Sequence, residues 1–205
     1  DGVYSVLYAT KKGTWRLNAK TGQTVWRIPE ARGDIVVGHF LDDKKQAVVT
    51  REGGILRCYD RKGRLQWKHA TDLEGDDAYA HELYRYDADG DGRDEIFSNW
   101  QKRTMAFRGD GTVLWEDRSQ RHHSDFLICA DPDADERTEF IYDHEGCGAA
   151  KGPIYIVDAV TGELKREIDY RKLGVGHAQN LAVGDFIPQQ PGLEMAMCEK
   201  RGNIF

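Results

Sequence analysis

Residues 86–97, YDADGDGRDEIF, form an acidic loop between two short apolar strands, and the fold prediction starts from this arrangement. Residues 130–141, ADPDADERTEFI, repeat this arrangement with the same spacing of carboxylates. Two more degenerate copies keep the order of strand, loop and strand: residues 33–50, GDIVVGHFLDDKKQAVVT, and residues 180–198, NLAVGDFIPQQPGLEMAMC. Self-similarity of this kind indicates a repeated structural unit.

A second half-unit, made of two strands joined by a turn with Gly, completes the repeat. It occurs at residues 55–70, 104–118 and 154–169, and residues 13–29 at the start of the chain match it as well. Trp26, Trp67 and Trp115 occupy one position of this half-unit. In the copy at 154–169, Leu164 or Lys165 is expected to replace the Trp.

The unit is therefore four short strands over roughly 40–54 residues, which is typical of an all-β protein of the β-propeller type, with four-stranded antiparallel blades. We expect one domain over residues 1–205, and the Trp is expected to cap the core between neighbouring blades near the rim. The expected blades are 1–30 (partial), 33–70, 79–118, 123–170 and 177–205 (partial).

The two partial blades both contain a second strand, so they duplicate rather than complete each other. We therefore expect an incomplete part of a seven- or eight-bladed ring. A compact ring of four or five blades, closed irregularly, is the alternative.

The composition excludes several classes of partner. Charged residues make up 31% of the chain and the net charge is −6, without a basic cluster, which argues against nucleic-acid binding. No apolar run approaches 18 residues, so no membrane span is expected. A monomer is expected. Most of the four cysteines are expected to be buried free thiols.

The two acidic loops have the carboxylate spacing of a short calcium-binding loop. Ca²⁺ prefers six to eight oxygen ligands, and close carboxylates repel one another without a cation. The closest pattern is the loop between the first two strands of FG-GAP-type propeller blades; an acidic, solvated hairpin loop is the alternative. The assigned ligands are Asp87, Asp89, Asp91, the Arg93 carbonyl and Glu95 in the first loop, and Asp131, Asp133, Asp135, the Arg137 carbonyl and Glu139 in the second.

These loops are expected to serve the frame, because they recur with the blade. Extracellular calcium modules bind at roughly 10⁻⁴–10⁻³ M, so such sites would be mostly empty in cytosol. A secreted, periplasmic or cell-surface protein is expected.

Chemistry is expected where the first strands of successive blades begin, at the mouth of the channel. Tyr79, His123 and His177 align at one position there, and His81 aligns with Asp125 and Gln179 two residues later. Three blades thus place an imidazole or a phenol at the same depth. Polar side chains that fill a wet channel are the alternative. A further alternative is a zinc site with ligands from among His122, His123, His144, Cys147 and His177.

At these residues the sequence resembles a family. Residues 174–203, GVGHAQNLAVGDFIPQQPGLEMAMCEKRGN, look like a segment of secreted rhamnogalacturonan lyases, and YDADGDGRDEIF resembles their calcium-loop repeats. The resemblance covers residues 79–203. It implies an eight-bladed propeller, calcium, and endo-acting cleavage of rhamnogalacturonan by β-elimination. Ala178 stands where the family has a second Gly, and Gln179 and Asn180 stand where an acid is common. Ulvan lyases, which also use calcium-containing propellers, remain open.

A lyase of this kind needs a cation for the uronate carboxylate, a base for the C5 proton and an acid for the leaving oxygen. We expect His123 or His177 as base, Tyr79 as acid and His81 as support, because histidine titrates near neutral pH. Calcium or an Arg could supply the positive charge. The alternative is a non-catalytic, calcium-stabilised propeller that binds glycan or protein, like adhesion modules and assembly scaffolds. A quinone-dependent dehydrogenase is a third alternative.

Overall fold

The protein consists of strands joined by tight turns, as the repeat predicts. A computed structural model describes residues 4–42, 44–119, 123–144, 153–173 and 177–199. Within these ranges, five antiparallel sheets follow one another in chain order. Two short 3-10 helices, Gly75–Ala78 and Tyr170–Leu173, lie between them, and no described helix has the length and apolar character to cross a bilayer.

Each sheet is a meander of consecutive strands, which we call blades 1 to 5. Blade 1 contains β1 (Ser5–Thr10), β2 (Gly13–Asn18) and β3 (Thr24–Ile28). Blade 2 contains β4 (Asp34–Gly38), β5 (Ala47–Glu52), β6 (Ile55–Tyr59) and β7 (Leu65–Ala70). Blade 3 contains β8 (Leu83–Tyr86), β9 (Glu95–Trp100), β10 (Arg103–Phe107) and β11 (Val113–Asp117). Blade 4 contains β12 (Leu127–Ala130), β13 (Glu139–Asp143), β14 (Ile154–Asp158) and β15 (Leu164–Ile168), and blade 5 contains β16 (Ala178–Gly184) and β17 (Glu194–Glu199).

The core lies between the blades, because successive residues of a strand point to opposite faces of its sheet. In β9, Ile96 packs with Leu56 and Met105 between blades 2 and 3. Its neighbour Phe97 packs with Phe140 between blades 3 and 4. Both faces of a middle blade are therefore buried, as blade-on-blade packing requires. Two of the cysteines expected to be buried thiols, Cys58 and Cys129, lie in these cores.

A Trp on the last strand of a blade reaches the turn of the next blade. Trp67 Nε1 donates to the Gly109 carbonyl at 2.9 Å, and the ring lies against Gly111, whose φ is 86°. A side chain at Gly111 would collide with this ring, so the turn glycine serves both the backbone and the packing. This confirms that the Trp caps the interblade core. The equivalent contacts are Trp26 to the Arg61 carbonyl and Trp115 to the Ala159 carbonyl.

The expectation for the fourth blade was wrong by one or two residues. Trp115 pairs with Ala106, and the equivalent pair on blade 4 is Arg166 with Ile156. A register shift in each hairpin places the residue four positions after the turn glycine at this site. Arg166, rather than Leu164 or Lys165, therefore takes the place of Trp, and Lys165 faces the opposite side of β15.

Candidate functional site

The segments that lead into β8, β12 and β16 meet at one end of the blades. Each segment is polar and is followed by an apolar strand, so the polar side chains lie where the strands begin. We call the group formed by these residues the imidazole cluster: Tyr79, His81, His123, Asp125 and His177.

Asp125 lies at the centre of the imidazole cluster. Its side chain is only 4% exposed, and its Oδ2 atom lies 2.8 Å from His177 Nε2. Its Oδ1 atom lies 3.7 Å from His81 Nε2 and 3.8 Å from His123 Nε2. Gln179 Nε2 donates to Oδ2 at 3.2 Å. One carboxylate from blade 4 thus faces imidazoles that come from three blades.

The rings of the cluster pack edge to face. His81 and His123 have ring centroids 4.5 Å apart, and the Tyr79 ring lies 4.9 Å from that of His123. The Tyr79 hydroxyl is 3.3 Å from His81 Nε2. Tyr79 is 49% exposed and the His81 side chain 44%, so this pair faces solvent, whereas the His123 side chain is 9% exposed.

A buried layer behind the cluster fixes its position. Asp143 Oδ1 accepts hydrogen bonds from the Ser124 hydroxyl at 2.6 Å and from the Asp125 backbone N–H at 2.9 Å. Burial raises the pKa of Asp143 to about 7. Gln101 Oε1 accepts the His123 N–H at 2.8 Å and lies 3.2 Å from His123 Nδ1. The orientation of the cluster is therefore set by side chains from blades 3 and 4.

The cluster also has the geometry of a cation site. The ligand atoms of His81, His123 and Asp125 all lie within 4.8 Å of one another. A ligand set of two imidazoles and a carboxylate suits a transition metal better than a set of oxygen ligands alone does. The zinc set expected from the sequence is different: His144 packs against Tyr155 with ring centroids 4.7 Å apart, and His122 and Cys147 lie outside the described residues.

The first acidic loop brings together ligand atoms of Asp87, Asp89 and Glu95 within 4.8 Å. Asp91 is not in this group, because its carboxylate pairs with Arg93 at 2.6 Å. The Oδ1 atom of Asp87 is buried and has no hydrogen-bond partner. Burial, together with the neighbouring aspartates, raises the pKa of Glu95 to about 7. An orphaned oxygen among carboxylates fits a bound calcium ion; the Arg93 carbonyl as a ligand stays a prediction.

The second acidic loop brings together four carboxylates, those of Asp131, Asp133, Asp135 and Glu139. Unlike the first, it already contains a cation: Lys165 Nζ contacts both Asp135 and Glu139. Lys165 Nζ thus lies on two of the oxygens that the sequence assigns as calcium ligands, and calcium binding by these four carboxylates stays a prediction. The Arg137 side chain pairs with Asp135 at 2.9 Å, and its carbonyl as a ligand stays a prediction.

Sequence reasoning missed Asp125, Gln101 and Asp143 as members of the site. Asp125 aligns with His81 in the repeat, and that register was the available signal. Gln101 and Asp143 lie near the ends of β9 and β13, and only the packing of blade 3 on blade 4 brings them to the cluster.

Comparison with known proteins gives a fold and one distant relative. No family model matches the chain. A rhamnogalacturonan exolyase of Bacillus subtilis (strain 168), YesX, is 33% identical over 137 residues, which cover 61% of this chain and 21% of the relative. The chain thus spans about a fifth of the length of that relative. The relative is named an exolyase, whereas the resemblance implied endo-acting cleavage.

Solved structures share the architecture. BBS1N in a complex with ARL6DN matches 100% of this chain and 56% of its own length, with a TM-score of 0.61 and 14% identity. The WD40 domain of Neurospora crassa Pan2 matches 98% of this chain and 61% of its own length, with a TM-score of 0.54 and 14% identity. These likenesses show the fold alone. The chain is an all-β propeller protein with partial, distant similarity to a rhamnogalacturonan lyase.

Proposed function

We propose that this chain carries catalytic residues of a polysaccharide lyase, which cleaves an acidic, uronate-containing glycan such as rhamnogalacturonan by β-elimination. The observation that carries the proposal is the imidazole cluster, where three blades converge on the buried carboxylate of Asp125. The partial similarity to a rhamnogalacturonan exolyase supports the class of reaction and of substrate.

β-Elimination removes the C5 proton of the uronate and expels the oxygen at C4. The C5 proton is weakly acidic, and the adjacent carboxylate must be neutralised before the carbanion can form. The reaction therefore needs a base, an acid and a positive charge within one site. A cluster of imidazoles and a phenol at the mouth of the channel offers the first two.

His177 is the base in this proposal. Asp125 holds its Nε2 atom at 2.8 Å, and a carboxylate that orients an imidazole also stabilises the imidazolium formed after proton transfer. His123 was the other candidate, but its side chain is 9% exposed against 19% for His177. His123 then positions Asp125 and Tyr79.

Tyr79 is the acid. Its hydroxyl is exposed and lies 3.3 Å from His81 Nε2, so His81 can return a proton to the phenol after each turnover. The positive charge that neutralises the uronate carboxylate must come from a cation or an Arg side chain outside this pair, because His81 Nε2 is used in the proton return to Tyr79. Calcium in the first acidic loop belongs to the frame, and a calcium-dependent frame favours a secreted, periplasmic or cell-surface location.

The test is an absorbance assay for unsaturated uronate. The protein is incubated with rhamnogalacturonan I and with ulvan, before and after treatment with a chelator. We expect absorbance to rise on one polymer, and Tyr79→Phe to lose most of the rate. Tyr86→Phe is the matched control, because Tyr86 ends β8, the strand that follows Tyr79, at the end away from the cluster.

A second pair of variants checks the base. His177→Gln is expected to abolish turnover, while His39→Gln, at a half-buried histidine outside the cluster, keeps it. No absorbance change on either polymer, from folded and calcium-loaded protein, would contradict the proposal and favour a non-catalytic propeller that binds glycan or protein.

A further inference from the structure

The two acidic loops have nearly the same backbone. Gly92 N–H donates to Asp87 Oδ2 at 3.0 Å in the first loop, and Glu136 N–H donates to Asp131 Oδ2 at 3.0 Å in the second. Glu136 has a φ of 68°, close to the 87° of Gly92. The second loop thus keeps the shape of a calcium loop at a position where a non-glycine residue is strained.

The loops differ in a residue that lies outside them, on the last strand of the blade. Lys165 stands three residues after the turn glycine Gly162 on β15, and Leu114 stands three residues after Gly111 on β11. Lys165 contacts the carboxylates of the second loop, and Leu114 packs in the interblade core that also includes Ala88 of the first loop. Lys165, a flexible cationic side chain, therefore reaches the second loop from a position that is occupied by the aliphatic Leu114 in the blade of the first loop.

Lys165 has the contacts that a bound cation would have. Its Nζ atom lies 2.9 Å from Asp135 Oδ2 and contacts Glu139 Oε1 closely. The Glu139 side chain is fully buried and that of Lys165 is 20% exposed. The hydrogen bond to Glu139 raises the pKa of Lys165 above its ordinary value, so the ammonium is charged at neutral pH.

The first loop has no such charge. Among the residues that the structure describes, no Lys or Arg forms an ion pair with Asp87, Asp89 or Glu95, and the one arginine of the loop, Arg93, points to Asp91. Each loop contains one buried carboxylate oxygen without a hydrogen-bond partner, Asp87 Oδ1 in the first and Glu139 Oε2 in the second, so the loops differ in the neighbouring charge. Three close carboxylates without a cation repel one another, whereas the same arrangement around an ammonium is attractive.

We propose that the Lys165 ammonium takes the place of a calcium ion in the second acidic loop. This loop therefore holds its conformation without metal, and only the first of the two loops binds calcium. A divalent ion would have to displace the ammonium, which sits on two of the oxygens that the ion needs.

Matched ligand variants test this proposal in the otherwise unchanged protein. Calcium bound per chain is measured by isothermal titration after treatment with a chelator. Asp87→Asn is expected to lose one calcium ion, and Asp131→Asn to lose none. Loss of one ion in Asp131→Asn would overturn the proposal, because the second loop would then hold calcium despite Lys165.

A swap of the two strand residues tests the role of the ammonium itself. Lys165→Leu is expected to bind one calcium ion more than the wild type and Leu114→Lys one fewer. Lys165→Met keeps an unbranched side chain, so it is the control for a packing defect in Lys165→Leu. An unchanged count in all three variants overturns the proposal. Failure of Lys165→Met to fold in excess calcium also overturns it, because calcium would then not replace the ammonium.

Discussion

Strands β8 and β12 begin at the imidazole cluster and end at the acidic loops. The surroundings of the buried carboxylates differ between these two ends. Asp143 behind the cluster and Glu95 in the first loop both have a pKa raised to about 7 by burial. Asp143 accepts hydrogen bonds from a hydroxyl and a backbone N–H, whereas Glu95 accepts one from the Ala88 backbone N–H and faces aspartates whose charges raise its pKa further.

The difference shows which end serves the frame and which can serve chemistry. Donors that orient a carboxylate also hold its neighbours, such as Asp125, in a defined position. Carboxylates that face one another need a cation before the loop is stable. A substitution at the cluster should therefore change turnover, and one at the loops should change stability.

The largest effect is expected at Asp125. Asp125→Asn keeps the size of the side chain but removes the charge that orients His177, so turnover on the polysaccharide should fall by about 100- to 10,000-fold. Asp89→Asn, at the other end of the blade, should keep its turnover in saturating calcium. The rate of unsaturated uronate formation measures both, and equal losses would remove the distinction between the two ends.

The pH dependence of stability should be carried in part by Asp143. Its folded pKa is raised to about 7, so the folded state binds the proton more tightly, and stability falls as pH rises from about 4 to about 7. Asp143→Asn still accepts the same hydrogen bonds without the charge. It should therefore reduce the loss of stability over this pH range by about 2–4 kcal/mol. Chemical denaturation across this range measures it; an unchanged slope would show that Asp143 stays ionised.

Calcium removal should act on the loop end alone. At a free concentration 100 times the dissociation constant, one calcium ion in the first loop adds about 2.7 kcal/mol to the free energy of unfolding. A chelator should lower the unfolding temperature of the wild type and leave that of Asp87→Asn unchanged. Equal shifts in both proteins would place the stabilising ion elsewhere.

The smallest effect concerns the backbone of the second loop. Glu136 has a positive φ where the first loop has Gly92, so Glu136→Gly should relieve strain and raise stability by about 0.5 kcal/mol, after the extra entropy of the unfolded chain. Gly92→Glu should cost about 1 kcal/mol in the first loop. Thermal unfolding of the pair compares them. A destabilised Glu136→Gly would show that the positive φ carries no strain.

The repeat pattern predicts the blades and the Trp contacts, because both depend on local periodicity and turn chemistry. The alignment of Tyr79, His123 and His177 is also visible in the sequence, and the structure brings these residues together. The register of the repeat places Asp125 level with His81, but its central role depends on the two neighbouring blades and is not visible in the sequence. Lys165 was missed because a register shift in the hairpin decides which face of β15 it occupies.

The Trp contacts between blades have a direction. Blades 1 to 3 each contribute one indole donor, and the next blade contributes one turn carbonyl, as between Trp115 and Ala159. A unit with one donor and one acceptor can be duplicated or inserted without leaving either group unmatched, so gene duplication can lengthen such an array one blade at a time. Arg166 ends this series on blade 4, and in the described part of the chain blade 5 is joined to blade 4 through the apolar core that contains Ile156 and Leu181 and through the contact of His177 with Asp125.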